Sequence, residues 1–190
     1  MVIGGYGYDY YYSRNRRNTF FFDIQKKRVS KGPKMVHGRS DHACSEMTID
    51  GKEYIVVVGG DKRVEAATEL LSKATWKQTG WQTMEAKSYL NGKHPIFWDL
   101  TEYWTWTWMT QMVPANDKQS LYIMFGYKYG GRLADDSRVF KFSCRRSLRT
   151  CKWVPTGTKL KFYDRWQTRN FLISDELANK VCNLGGATKY

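Results

Sequence analysis

An all-β chain is predicted by three features of the sequence. The first is the stretch Tyr54–Gly60, YIVVVGG. Ile55 to Val58 are consecutive apolar residues, three of them Val, the composition of a strand buried on both faces. The run is too short for a helix, and Gly59 and Gly60 end it where the chain must turn. The second feature is repetition. Val2-Ile3-Gly4-Gly5 carries the same strand-then-glycine unit, and Leu121–Tyr127 carries it again with Tyr127 in place of the second glycine. The units end at or near positions 5, 60 and 126, spacings of 55 and 66 residues, as expected for an array of similar units. The third feature is the aromatic content, 16% of the chain, gathered in strand-like runs.

Taken in order, residues 1–35 hold three strands: Val2–Gly5, Thr19–Asp23 (TFFFD) and, after a basic turn, Lys31–Met35 as a short outer strand or turn. Tyr6–Arg17 reads as a Tyr- and Arg-rich loop. Residues 36–84 hold four strands. Asp41–Ile49 and Lys52–Gly60 flank Asp50-Gly51, a strong two-residue hairpin signal. Asp61–Glu65 is a charged loop. Ala67–Leu71 favours helix by propensity, but its place in the unit argues for strand. Trp76 and Trp81–Met84 close the unit. Residues 85–158 repeat the order. Tyr103–Trp108 alternates strictly, with Trp104, Trp106 and Trp108 on one face, and reads as the first strand, its Trp stripe either core packing between sheets or, if exposed, a surface for stacking bases or sugars. Ser120–Gly126, Ser137–Phe142 and Cys151–Pro155 follow. Residues 159–190 add one pair, Arg169–Ile173 and Asp175–Cys182. No low-complexity linker divides the chain.

With 190 residues the chain suits one domain with a sizeable core. The net charge of +13 admits an acidic partner, but the basic residues gather in Arg14–Arg17, Lys26–Lys34 and Arg145–Lys152 and not on one periodic face, as solvated loops do. No stretch approaches the roughly 20 apolar residues that a membrane helix needs. No secretory signal is visible, and the compartment stays open. Of the four cysteines, Cys44, Cys144, Cys151 and Cys182, none forms a CxxC pair, and His37, His42 and His94 are scattered, so no zinc site is assigned. Cys144 and Cys151 bracket Arg145–Thr150. They either pair across a hairpin, with Cα atoms about 4.4–6.8 Å apart, or remain two reduced thiols. Pairing would require an oxidising compartment, and only then is the protein secreted.

Chemistry-bearing patterns are sparse. Gly4-Gly5-Tyr6-Gly7 lacks the spacing, Lys and helix of a phosphate loop. His37 and His42, with Asp41 alongside, lack a third ligand. No GxSxG elbow occurs. No catalytic residue, metal or cofactor is assigned. The candidate partner-binding loop comprises Tyr10, Tyr11, Arg14, Arg16 and Arg17, because Tyr and Arg dominate interface hot spots; the alternative is a disordered solvated loop.

One ordered set remains. The second unit has His42-Ala43-Cys44, Val57-Val58-Gly59-Gly60, Leu70-Leu71, then Trp81 and Met84. The third has Phe125-Gly126, Phe140 and Phe142, then Trp153. The first has Gly4-Gly5, Phe20–Phe22 and Gly32–Met35 without the fourth-strand Trp. This set resembles the kelch repeat. The resemblance implies propeller blades of four antiparallel strands, in units of about 1–35, 36–84, 85–158 and 159–190. It makes Gly4, Gly5, Gly59, Gly60 and Gly126 structural glycines and Trp81 and Trp153 structural aromatics. Propellers close with 4–8 blades, so about three repeats imply an incomplete propeller. Val2–Gly5 and Arg169–Ile173 should then not be hydrogen-bonded to each other, and both should be exposed edges with unpaired backbone groups and apolar side chains in solvent, prone to self-association. The implied function is a protein-binding scaffold or adaptor, acting through blade loops on another protein. One alternative is an enzyme on the same scaffold, an oxidase or glycan-acting, which would need clustered ligands or paired carboxylates at the blade centre. The weaker one is nucleic-acid or anionic-glycan binding through the basic surface.

Overall fold

The computed structural model describes residues 1–4, 6–9, 12–39, 42–59, 68–84, 107–108, 111–115, 117–124, 127–128, 137–145, 147–160, 171–175 and 180–184. Among them the chain is all-β, built from antiparallel sheets with one four-residue helix.

The central sheet is a four-stranded meander: β6 (Ala43–Ile49), β7 (Lys52–Val58), β8 (Glu69–Ser72) and β9 (Trp81–Thr83). Asp50 and Gly51 make the β6–β7 turn, both with positive φ (52° and 69°), the backbone that a two-residue hairpin requires. Ile55, Val56, Val57 and Val58 are all buried, as expected for a strand covered on both faces. Cross-strand register sorts them by alternation. Val56, Val58, Met47, Ile49 and Leu70 lie in one core cluster, whereas Ile55, Val57, Leu71 and Trp81 lie in the other.

On one side packs a three-stranded sheet in the order β1 (Val2–Ile3), β4 (Thr19–Asp23), β5 (Arg28–Lys31). It supplies Ile3 and Phe21 to the second cluster, the Phe21 ring lying 4.8 Å from that of Trp76. Trp76 opens the short helix α1 (Trp76–Thr79) in the β8–β9 connection. Trp81 Nε1 donates to Thr19 Oγ1 across the same interface. The other side packs on a second four-stranded meander: β11 (Gln111–Pro114), β12 (Ser120–Met124), β14 (Ser137–Ser143) and β15 (Lys152–Leu160). Met112, Leu121, Ile123, Phe140, Phe142 and Trp153 complete the first cluster. Each such fully buried side chain contributes about 1.5–3 kcal/mol relative to exposure. A last hairpin, β16 (Phe171–Asp175) with β17 (Lys180–Leu184), sets β16 beside β11, which itself adjoins β6. The leading strands of three successive sheets are therefore neighbours.

Several expectations are corrected. The outer strand of the first sheet is β5, not 31–35: Asp23 pairs Arg28 across a tight 24–27 turn, so the strand starts as soon as register permits. Tyr6–Arg17 is not a bare loop. Tyr6–Asp9 (β2) pairs with Tyr12–Asn15 (β3) as a hairpin inserted between β1 and β4, in keeping with the strand propensity of Tyr. The strand leading the third sheet is β11, not Tyr103–Trp108. Thr107–Trp108 (β10) instead pairs Tyr127–Lys128 (β13), extending the β11–β12 ladder. Trp104 and Trp106 lie outside the described residues. As expected, β1 and β16 are not paired with each other among the described residues: β1 pairs only with β4, as an edge strand, and β16 only with β17. Ile3, however, packs against the core. Phe22 and Val29, a cross-strand pair, and Ile24 beside them are among the apolar side chains exposed to solvent, while the side chains of Val2 and of β16 lie outside what the structure describes.

Candidate binding surface

The two ends of the stacked sheets differ in chemistry. At one end, where the longest connections in the sequence begin and end, lie the β1–β4 segment with its hairpin, the 32–39 segment, and Gly59 and Thr68 at the exit of β7 and the entry of β8. At the other end lie the tight turns 24–27, 50–51, 73–80, 115–119 and 144–151.

A buried ion pair organises the long-connection end. Arg39 and Glu69 are fully buried, with Arg39 Nη2 2.7 Å from Glu69 Oε1. A buried charge is tolerated only if its hydrogen-bonding capacity is filled, and Glu69 is well supplied. The backbone N–H groups of Val36 (2.7 Å) and His37 (3.1 Å) donate to its carboxylate, as does Arg39 Nε (3.3 Å). Arg39 Nη1 donates to the Gly59 carbonyl at 2.8 Å, where φ is +75° and the strand turns out of the sheet. The Arg39 N–H donates to the Arg16 carbonyl, the Met35 N–H to the Arg17 carbonyl, and Arg17 Nε to the Met35 carbonyl. One ion pair thus fastens the 33–39 segment, the exit of β7 and the foot of the β2–β3 hairpin. Gly4 is required here: its φ is +64°, and a Cβ would come within 2.5 Å of the Arg39 carbonyl and 2.8 Å of His42 Cε1. The His42 pKa is lowered to about 4 by burial and, secondarily, by the Arg39 charge. Its buried Nδ1 has no hydrogen-bond partner among the described residues.

The candidate site residues fall as follows. Arg16 and Arg17 brace the 33–39 segment through their carbonyls, and Arg17 also through its guanidinium. Arg14 lies on β3, paired with Gly7. Tyr10 and Tyr11, between the paired Asp9 and Tyr12, lie outside the described residues, as do Gly5, Gly60 and Gly126. His37 and His42 are not brought together with a third ligand, and no group of three His, Cys, Asp or Glu side chains suited to a metal occurs among the described residues. Trp81 and Trp153 are buried core residues. Arg39 and Glu69 were not legible as a pair. Glu69 faces a strand buried on both sides, opposite Val57, but only the register shows it.

At the tight-turn end, Cys144 and Cys151 form a disulfide, S–S 1.96 Å, with Cα atoms 3.9 Å apart. This is closer than the expected 4.4–6.8 Å; the pair stands one position beyond Ser143 and Lys152, the last partners of the β14–β15 ladder. Cys44 is free and exposed on β6. A cleft of about 410 Å³ between the two four-stranded sheets is lined by Ser45, Glu46, Met47, Thr48, Glu53, Pro114 and Lys118. Its two carboxylates, Glu46 and Glu53, both reach Lys73 Nζ, at 2.8 and 3.5 Å, and are exposed to water. The Lys73 pKa is raised, chiefly by its hydrogen bond to Glu46. No described helix is long and apolar enough to cross a membrane. No protein-family model matches the chain, and no curated protein matches it.

Proposed function

We propose that the chain is a protein-binding module of kelch-type propeller blades, an incomplete propeller, that acts as a scaffold or adaptor through the connections at its long-connection end. The observation that carries this reading is the hub of Arg39 and Glu69. A fully buried ion pair, tied to three backbone segments, holds the bases of those connections on a rigid sheet stack, and recognition loops of stable folds are built that way. The residue order that resembles kelch repeats supports it, as does the adjacency of β6, β11 and β16, the leading strands of successive sheets. The exposed Phe22, Val29 and Ile24 form the outer face of the first sheet, where a further blade or a second copy would pack.

The test excises the β2–β3 hairpin, replacing residues 6–15 with a short Gly/Ser linker. The proteins captured by the full chain are compared with those captured by this variant and by one altered only in the 24–27 turn. Loss of specific capture with the hairpin, at unchanged circular dichroism, supports the reading. An identical set captured by all three proteins refutes it. Sedimentation of Phe22→Lys/Val29→Lys checks the outer face: self-association should fall relative to the native chain, and an unchanged distribution counts against it.

A further inference from the structure

We propose that the tight-turn end is a second, separate binding site, for an extended sulfated polysaccharide. Neighbouring sheets are tied to one another near their ends. Arg39 joins the first and central sheets at the opposite end, and the Thr48 N–H donates to the Lys118 carbonyl at 2.7 Å, joining the central and third sheets at this one. The turns 24–27, 50–51, 73–80, 115–119 and 144–151 therefore form one surface. They contain eight Lys and Arg against two Asp. The imbalance deepens on inspection of the partners. Asp117 is engaged within its own turn, accepting from the Gln119 N–H and Ser120 Oγ. Asp23, next to this surface, accepts the Lys26 N–H. Of the turn cations, Lys73 is held by Glu46 and Glu53. Lys26, Lys27, Lys77, Lys118, Arg145 and Arg149 are exposed, and Lys52 flanks them.

Their arrangement selects the ligand. The cations fall into three groups, one for each sheet in turn: Lys26 and Lys27, then Lys52 and Lys77, then Lys118, Arg145 and Arg149. Such a row matches a linear polyanion rather than one phosphate. The five turns carry a single aromatic residue, Trp76, whose ring is already packed on Phe21 and lies under Lys77 Nζ. A nucleic-acid surface would present rings for base stacking; this one presents only charge. The Cys144–Cys151 disulfide pins the turn that displays Arg145 and Arg149, and disulfides persist in oxidising compartments, where polyanions are glycans rather than nucleic acids.

The experiment measures binding of the full, oxidised chain to heparin as the probe, by titration over a salt series. Tight binding that weakens steadily with salt is expected. Lys118→Glu/Arg149→Glu should weaken it about tenfold or more, whereas Lys31→Glu/Lys34→Glu, equal in charge but exposed toward the opposite end, should change it far less. Thermal melts establish that both variants fold. Equal losses in the two variants would reduce the effect to net charge and overturn the site. Equal or tighter binding of a duplex DNA, a single-stranded RNA or poly-glutamate than of heparin would overturn the glycan assignment. Failure here leaves the protein-binding reading of the other end intact, since neither variant touches the β2–β3 hairpin.

Discussion

Glu69→Gln is the most informative single change. The native carboxylate accepts from two backbone N–H groups and from Arg39 through Nε and Nη2, and both side chains are fully buried. Gln keeps one oxygen and removes the charge. Arg39 then loses the ion pair and hydrogen bonds it makes with Glu69, and an amide NH2 group is turned toward donors. Removing one partner of a buried pair costs about 3–5 kcal/mol, against a total stability of about 5–15 kcal/mol for a domain. The variant should therefore unfold at much lower urea concentration, read by tryptophan fluorescence and circular dichroism together. The double variant Arg39→Met/Glu69→Leu removes both charges while keeping much of the volume, and should recover most of the loss. A midpoint for Glu69→Gln corresponding to less than about 1 kcal/mol of destabilisation would refute the reasoning, since an ordinary surface substitution costs no more.

Three further outcomes are expected. His42 binds a proton more weakly in the fold (about 4) than in the unfolded chain (6.5), so the unfolded chain takes up more protons between those values. Stability from this group is complete above about pH 6.5 and is lost as pH falls toward 4, by up to about 3 kcal/mol; His42→Gln should flatten the stability profile in that window, and an unchanged slope would refute the assignment. Gly4→Ala should destabilise by more than about 2 kcal/mol, because φ is positive and the new Cβ meets the Arg39 carbonyl, whereas Gly51→Ala, with φ +69° and open space around it, should cost only about 1–2 kcal/mol; paired thermal melts compare them. Reducing Cys144–Cys151 frees a loop closed over seven positions and should lower stability by about 2–3 kcal/mol, measured by urea titration with and without reductant.

Local pattern alone determined a good deal here. Ile55–Val58 read as a strand buried on both faces because a continuous apolar run needs cover on both sides, and the structure places a sheet against each. Asp50-Gly51 read as a hairpin because few residues accept positive φ in succession. Cys144 and Cys151 read as possible partners because a short turn between strands brings its ends together. What the sequence could not decide rests on register and packing. The β2–β3 hairpin is polar and aromatic without an apolar rhythm, so nothing local separated strand from loop. Tyr103–Trp108 has the stronger alternation, yet Gln111–Pro114 leads its sheet, because pairing with Ser120–Met124 is fixed by the tight 115–119 turn. Arg39 and Glu69 lie 30 residues apart in segments with no shared period. Only the stacking of one sheet on the next removes both charges from water together, and that shared desolvation is what obliges them to pair.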